Sequence, residues 1–100
     1  MLKHLTETDV HAIIKAAEQN NSVRSSRALE GAIKKLSRDA WMELVALVWL
    51  GRGDVEGRFA DHLKEARRTP HPVAYITEKS PALPKYLREG LRKLSSEGRP

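Results

Sequence analysis

The stretch Glu43–Asp54, ELVALVWLGRGD, constrains this chain more than any other. Apolar residues run unbroken from Leu44 to Leu50 and stop at Gly51. Trp41, Leu44, Val45 and Val48 recur at the 3.6-residue spacing of an amphipathic helix. From Leu44 onward that helix is apolar on every side, and such a helix is buried by its neighbours. It is far shorter than the roughly 20 apolar residues of a membrane span. The chain is therefore expected to pack around this helix. Trp41 is expected in the core, and Trp49, set to one side, under a neighbouring helix or a second subunit.

No stretch alternates with period two, so the remaining elements also read as helices. Thr6 and Asp9 form the capping box of a first helix, with Leu5 and Val10 as its hydrophobic staple and Val10, Ile13, Ile14 and Ala17 inward. Asn20-Asn21-Ser22 ends it. A second helix begins near Ser25 or Ser26 and carries Leu29, Ala32, Ile33 and Leu36 on one face. Gly31 inside it costs about 1 kcal/mol relative to alanine, unless it allows a close helix contact. Ser37 caps the central helix, with Leu36 and Trp41 as its staple.

Gly51 is expected at C′, in the left-handed conformation that closes a helix. Asp54 is the expected N-cap of a fourth helix carrying Val55, Phe59, Leu63 and Ala66. Thr69-Pro-His-Pro72 breaks the chain, because two prolines in three residues forbid continuation. A short helix over Val73–Lys79 follows. Ser80-Pro81 then opens a last helix striped by Leu83, Leu87, Leu91 and Leu94, with Pro84 tolerated in its first turn. The expected fold is all-α, a compact orthogonal bundle of five or six short helices. Residues 1–95 form its one domain and 96–100 a flexible tail.

The segments LVALVWLGRGD and AYI…SPALPKYLREGL resemble an uncharacterised family of small proteobacterial proteins. In that family a helix of this composition ends in Gly-Arg-Gly-Asp, and a Tyr-Leu-x-x-Gly-Leu segment closes the domain. The resemblance spans Leu36 to Leu94 and carries over Trp49, Gly51, Arg52, Gly53, Asp54, Tyr86, Leu87, Gly90 and Leu91. Ile76 and Thr77 depart from it, standing where the family tends to have leucines. It implies a fold and a bacterial origin, and no activity.

Charge and composition narrow the function classes. The net charge is +5, with a pI near 9.8. Residues 1–50 carry seven Lys/Arg against six Asp/Glu, and residues 51–100 carry eleven against seven. Excess positive charge favours acidic partners, nucleic acid among them. With no cysteine there is no disulfide, thiolate chemistry or cysteine zinc site. The N-terminus turns polar at once, unlike a signal peptide, so a cytoplasmic location and no membrane association are expected. Arg52-Gly53-Asp54 spells an adhesion tripeptide, but that use requires secretion.

Helix-start amides beside Arg52 offer an anion site as a weaker alternative, since Asp54 as cap would occupy those donors. Glu7 with His11, and His62 with Glu65, have the spacing of metal ligands on a helix, yet each pair supplies only two. No histidine neighbours a nucleophile, and no carboxylate is read as lying in an apolar run, so no enzyme, cofactor or metal is expected. The candidate interaction residues are Trp49, Arg52 and Asp54 at the junction, Arg67 and Arg68 ending the fourth helix, and Lys85, Arg88 and Arg92 on the last. The leading expectation is a small non-catalytic interaction or regulatory module of a bacterium or its phage that binds a protein partner. A phage or mobile-element protein acting on a host complex is one variant, and a homodimer is a further partnership to test. The alternative is a nucleic-acid-binding accessory protein that contacts phosphates through the basic face of the last helix.

Overall fold

A computed structural model describes residues 2–19, 23–53, 56–79 and 82–97, with the side chains of 23–26 outside that description. Among the described residues there are six helices and no strand: α1 (Glu7–Glu18), α2 (Val23–Lys34), α3 (Arg38–Arg52), α4 (Phe59–Ala66), α5 (Pro72–Glu78) and α6 (Leu83–Glu97). None is long and apolar enough to cross a membrane.

Helix α1 starts as its capping box requires. The Asp9 N–H donates to the Thr6 hydroxyl at 3.0 Å, and the Thr6 N–H donates to the Asp9 carboxylate at 3.1 Å. Leu5, Val10, Ile13, Ile14 and Ala17 are all buried. The expected stop at Asn20–Ser22 lies outside the described residues. Helix α2 begins at Val23, which places Ser25 and Ser26 inside its first turn instead of at its cap. Gly31 touches nothing: a Cβ built there has no neighbour within 4 Å, so no close helix contact requires it.

Ser37 caps α3 by accepting the Ala40 N–H at 3.2 Å. Leu44 through Val48 are fully buried, the central placement that an all-round apolar helix demands. Trp41 is only half-buried, however. Its indole N–H donates to the Ile33 carbonyl at 2.7 Å, which holds the ring at the edge of the core.

The end of α3 departs from expectation. Gly51 is still helical, and the left-handed cap is Gly53, with φ 71° and its N–H donating to the Trp49 carbonyl. Gly51 serves a different purpose. A Cβ on it would stand 1.8 Å from the Tyr86 carbonyl oxygen, and one on Gly90 would stand 2.4 Å from the Leu47 carbonyl oxygen. These two glycines let the backbones of α3 and α6 touch.

Asp54 and Val55 lie outside the described residues, and α4 starts only at Phe59, with Arg58 as N-cap. Asp54 is therefore not the cap of α4. Helix α5 runs one residue earlier at each end than the expected Val73–Lys79, because Pro72 is accepted at its first position, where no N–H is needed. Ser80 and Pro81 lie outside the described residues, and Pro84 sits in the first turn of α6. That helix runs on to Glu97, into the segment expected as tail; residues 98–100 lie outside the described residues.

Helix α3 packs most extensively on α6, then on α4 and α5. Helices α1 and α2 pair with each other and join the rest chiefly through α6 and α5 respectively. The centre is thus shared by α3 and α6, and the bundle is compact, with a Cα radius of gyration of 12.5 Å. The N-terminal segment before α1 is tied to α3 by Glu43, which is 2% exposed. Its carboxylate accepts the N–H groups of Lys3, His4 and Leu5 at 2.8, 2.8 and 2.7 Å. Glu43 is the one buried carboxylate among the described residues, and it stands at the border of the apolar run that begins at Leu44.

Candidate interaction site

The C-terminal end of α3, with α5 and α6 beside it, gathers a cluster of aromatic and cationic side chains. Trp49 lies on the α3 turn before the glycine cap, Tyr75 is on α5 with the C-cap residue Lys79 one turn beyond it, and Tyr86 is on α6. The Trp49 indole N–H donates to the Tyr75 hydroxyl at 2.6 Å, and the rings meet edge-on at 6.0 Å between centroids. Arg52 donates to the same hydroxyl at 3.4 Å and lies over the Tyr86 ring, 5.9 Å from its centroid. Lys79 covers the Tyr75 ring at 5.1 Å. Cations over ring faces are attracted by the ring quadrupole. All five residues keep part of their surface in solvent.

Helix geometry explains the placement. Trp49 falls about 100° from the fully buried Val48, at the boundary of the core, where α5 covers one of its sides. Helix α5 therefore covers it in part, and the rest of the ring stays in solvent. Tyr75 and Lys79 are an i, i+4 pair, the one sequence signal that could have placed them together. Their meeting with Trp49 is tertiary and has no local signal.

Of the other expected site residues, Asp54 lies outside the described residues and the rest are not brought into this cluster. Arg67 and Arg68 are exposed after α4. Lys85 is exposed on α6, Arg88 is paired with Glu18 of α1 at 2.8 Å, and Arg92 is paired with Glu89 at 2.8 Å. The Arg92 hydrogen bond, aided by its charge, holds the exposed Glu89 carboxyl below the usual range, and Glu89 raises Arg92 in return. Lys93 turns inward and donates to the Leu50 carbonyl at 3.1 Å, where a cation suits the end of α3.

The anion reading is also altered. At the true start of α4 the Arg58 N–H donates to Asp61, and the Phe59 N–H donates to the carboxylate of Glu97 at 3.0 Å. Those donors are taken by the protein's own carboxylates. Among the described residues no three His, Asp or Glu side chains come together as a metal site would require.

The cluster holds no nucleophile–base pair. The Trp49 indole N–H and Arg52 both bond to the Tyr75 hydroxyl, and Arg52 and Lys79 lie over the tyrosine rings.

The fold and this surface define a small all-α helical bundle with an aromatic–cationic face. The chain belongs to the family described as protein of unknown function, DUF3775, which matches residues 26–95. No curated protein and no solved structure matches the chain.

Proposed function

We propose that the chain is a small, non-catalytic interaction module that binds a protein partner through the Trp49–Arg52–Tyr75–Tyr86 cluster. The observation that carries this reading is the composition and wiring of that cluster. Trp, Tyr and Arg dominate the energetics of protein interfaces. Here they are held in place by the Trp49–Tyr75 hydrogen bond and the Arg52 contacts, so little side-chain freedom is lost on binding.

The competing reading, a nucleic-acid accessory protein, rests on the basic side of α6. It is weakened by the engagement of Arg88 with Glu18 and of Arg92 with Glu89. Bacterial or phage origin and a cytoplasmic setting remain part of the proposal. They are supported by the resemblance of the Gly-Arg-Gly-Asp and Tyr-Leu-x-x-Gly-Leu segments and by the absence of cysteine.

Capture from a bacterial lysate on immobilised protein, with and without nuclease, tests the reading. A protein retained after nuclease treatment, and diminished by Arg52→Ala or Lys79→Ala, is the expected outcome. Retention that nuclease abolishes would favour the nucleic-acid reading.

A further inference from the structure

A second surface flanks α5. Between α2, the start of α3 and the turn into α5 lies an open cavity of about 480 Å³, within the size range of ligand sites. Its apolar part is made by Trp41, Pro70, Pro72 and Val73. The Trp41 indole N–H is already engaged by the Ile33 carbonyl, and the Thr77 hydroxyl on the opposite wall by the Ala74 carbonyl. The two prolines contribute no N–H at all. These residues bring ring and methyl groups to a cavity that polar and charged side chains also line.

The charged part is uneven. Lys34 and Glu30 are paired at 2.7 Å and largely offset each other. Arg38, exposed at the first position of α3, then adds positive charge, and the exposed His71 adds imidazole nitrogens.

We propose that this groove docks an acidic peptide segment of the partner protein, an inference that rests on the protein-partner reading above. An apolar side chain of the segment sits between Trp41 and the proline rings, and a neighbouring carboxylate pairs with the Arg38 guanidinium, which presents a bidentate fork to such a group. The excess positive charge of the whole chain favours the approach of such a segment. A nucleic-acid strand fits less well. The groove offers a single indole platform, whereas strands are held by successive stacked bases.

The test is selection of random 12-residue peptides displayed on phage against the immobilised full chain. Fluorescence polarisation of an enriched peptide with variants then locates its site. Arg38 and Ala74 are both exposed, so Arg38→Glu and Ala74→Glu alter the groove without touching the core, and circular dichroism confirms that they fold. Enriched peptides should carry Asp or Glu close to Leu, Phe or Trp. Each variant should weaken their binding by about tenfold or more, and Lys15→Ala, exposed on α1 and outside both the groove and the Trp49 cluster, should not.

Binding lost with Arg52→Ala but kept by both groove variants would overturn the groove and leave the protein-partner reading standing. Failure to enrich any acidic sequence would also overturn the groove. If a labelled DNA duplex then binds instead, the protein-partner reading falls with it.

Discussion

Glu43 lies among fully buried neighbours on α3, where an unpaired carboxylate would be strongly unfavourable. Three converging N–H groups offset that cost, and in doing so they fix residues 3–5 against α3. Glu43→Gln keeps the shape but turns an amide NH2 toward backbone donors. It should cost about 2 kcal/mol in chemical denaturation and should speed hydrogen exchange at the Leu5 amide ahead of the core amides. A uniform change across all amides would mean that the loss is general repacking. Glu89 offers the opposite case, an exposed group. Its carboxyl is lowered by Arg92, so the pair's small contribution is present above the ordinary carboxylate pKa and fades as pH falls through the lowered one. Arg92→Ala should return Glu89 to the ordinary range in a carboxyl-carbon titration, with melting almost unchanged, because an exposed pair is worth little.

At the scale of elements, the glycines separate three roles that look alike in sequence. Gly51→Ala and Gly90→Ala push a methyl into the opposing backbone of the α3–α6 contact, so each should cost about 3 kcal/mol. Gly53→Ala places a Cβ at φ 71° and should cost about 1 kcal/mol. Gly31→Ala, in an exposed helix interior with open space around it, should stabilise by about 1 kcal/mol. Melting temperatures should follow that order, and a Gly51 variant as mild as the Gly53 variant would refute the backbone contact. The caps at Thr6 and Ser37, the buried run and the proline break were legible because each is a short-range pattern. The helix end was not. Gly51 and Gly53 carry the same local signal, and only the approach of α6 decides which one continues the helix. The start of α4 was lost for a related reason. Asp54 reads as a good cap, while the Phe59 N–H is satisfied by Glu97, 38 residues away.

At the scale of the whole molecule, the same distinction between local and distant governs charge and site. Trp49 and Arg52 could be singled out from the sequence, but Tyr75, 26 residues from Trp49, could not, because α5 is placed by packing on α2 and α3. The basic side of α6 looked available in sequence because its compensating partner Glu18 sits on α1, brought alongside by the fold. For Arg88 and Arg92 to contact phosphates, each would have to leave a carboxylate already at 2.8 Å. Wild-type protein should therefore show only weak duplex binding without sequence preference, erased by physiological salt, with a slope of about −0.9 per phosphate contact. Glu18→Gln combined with Glu89→Gln removes both partners, and should raise low-salt duplex affinity severalfold and steepen the salt dependence. A double variant that binds no better than wild type would show that pairing is not what restrains this face. Tight, sequence-dependent binding by the wild type at physiological salt would instead mean that the carboxylates give way readily, making α6 the working surface of the molecule in place of the α3–α5 cluster.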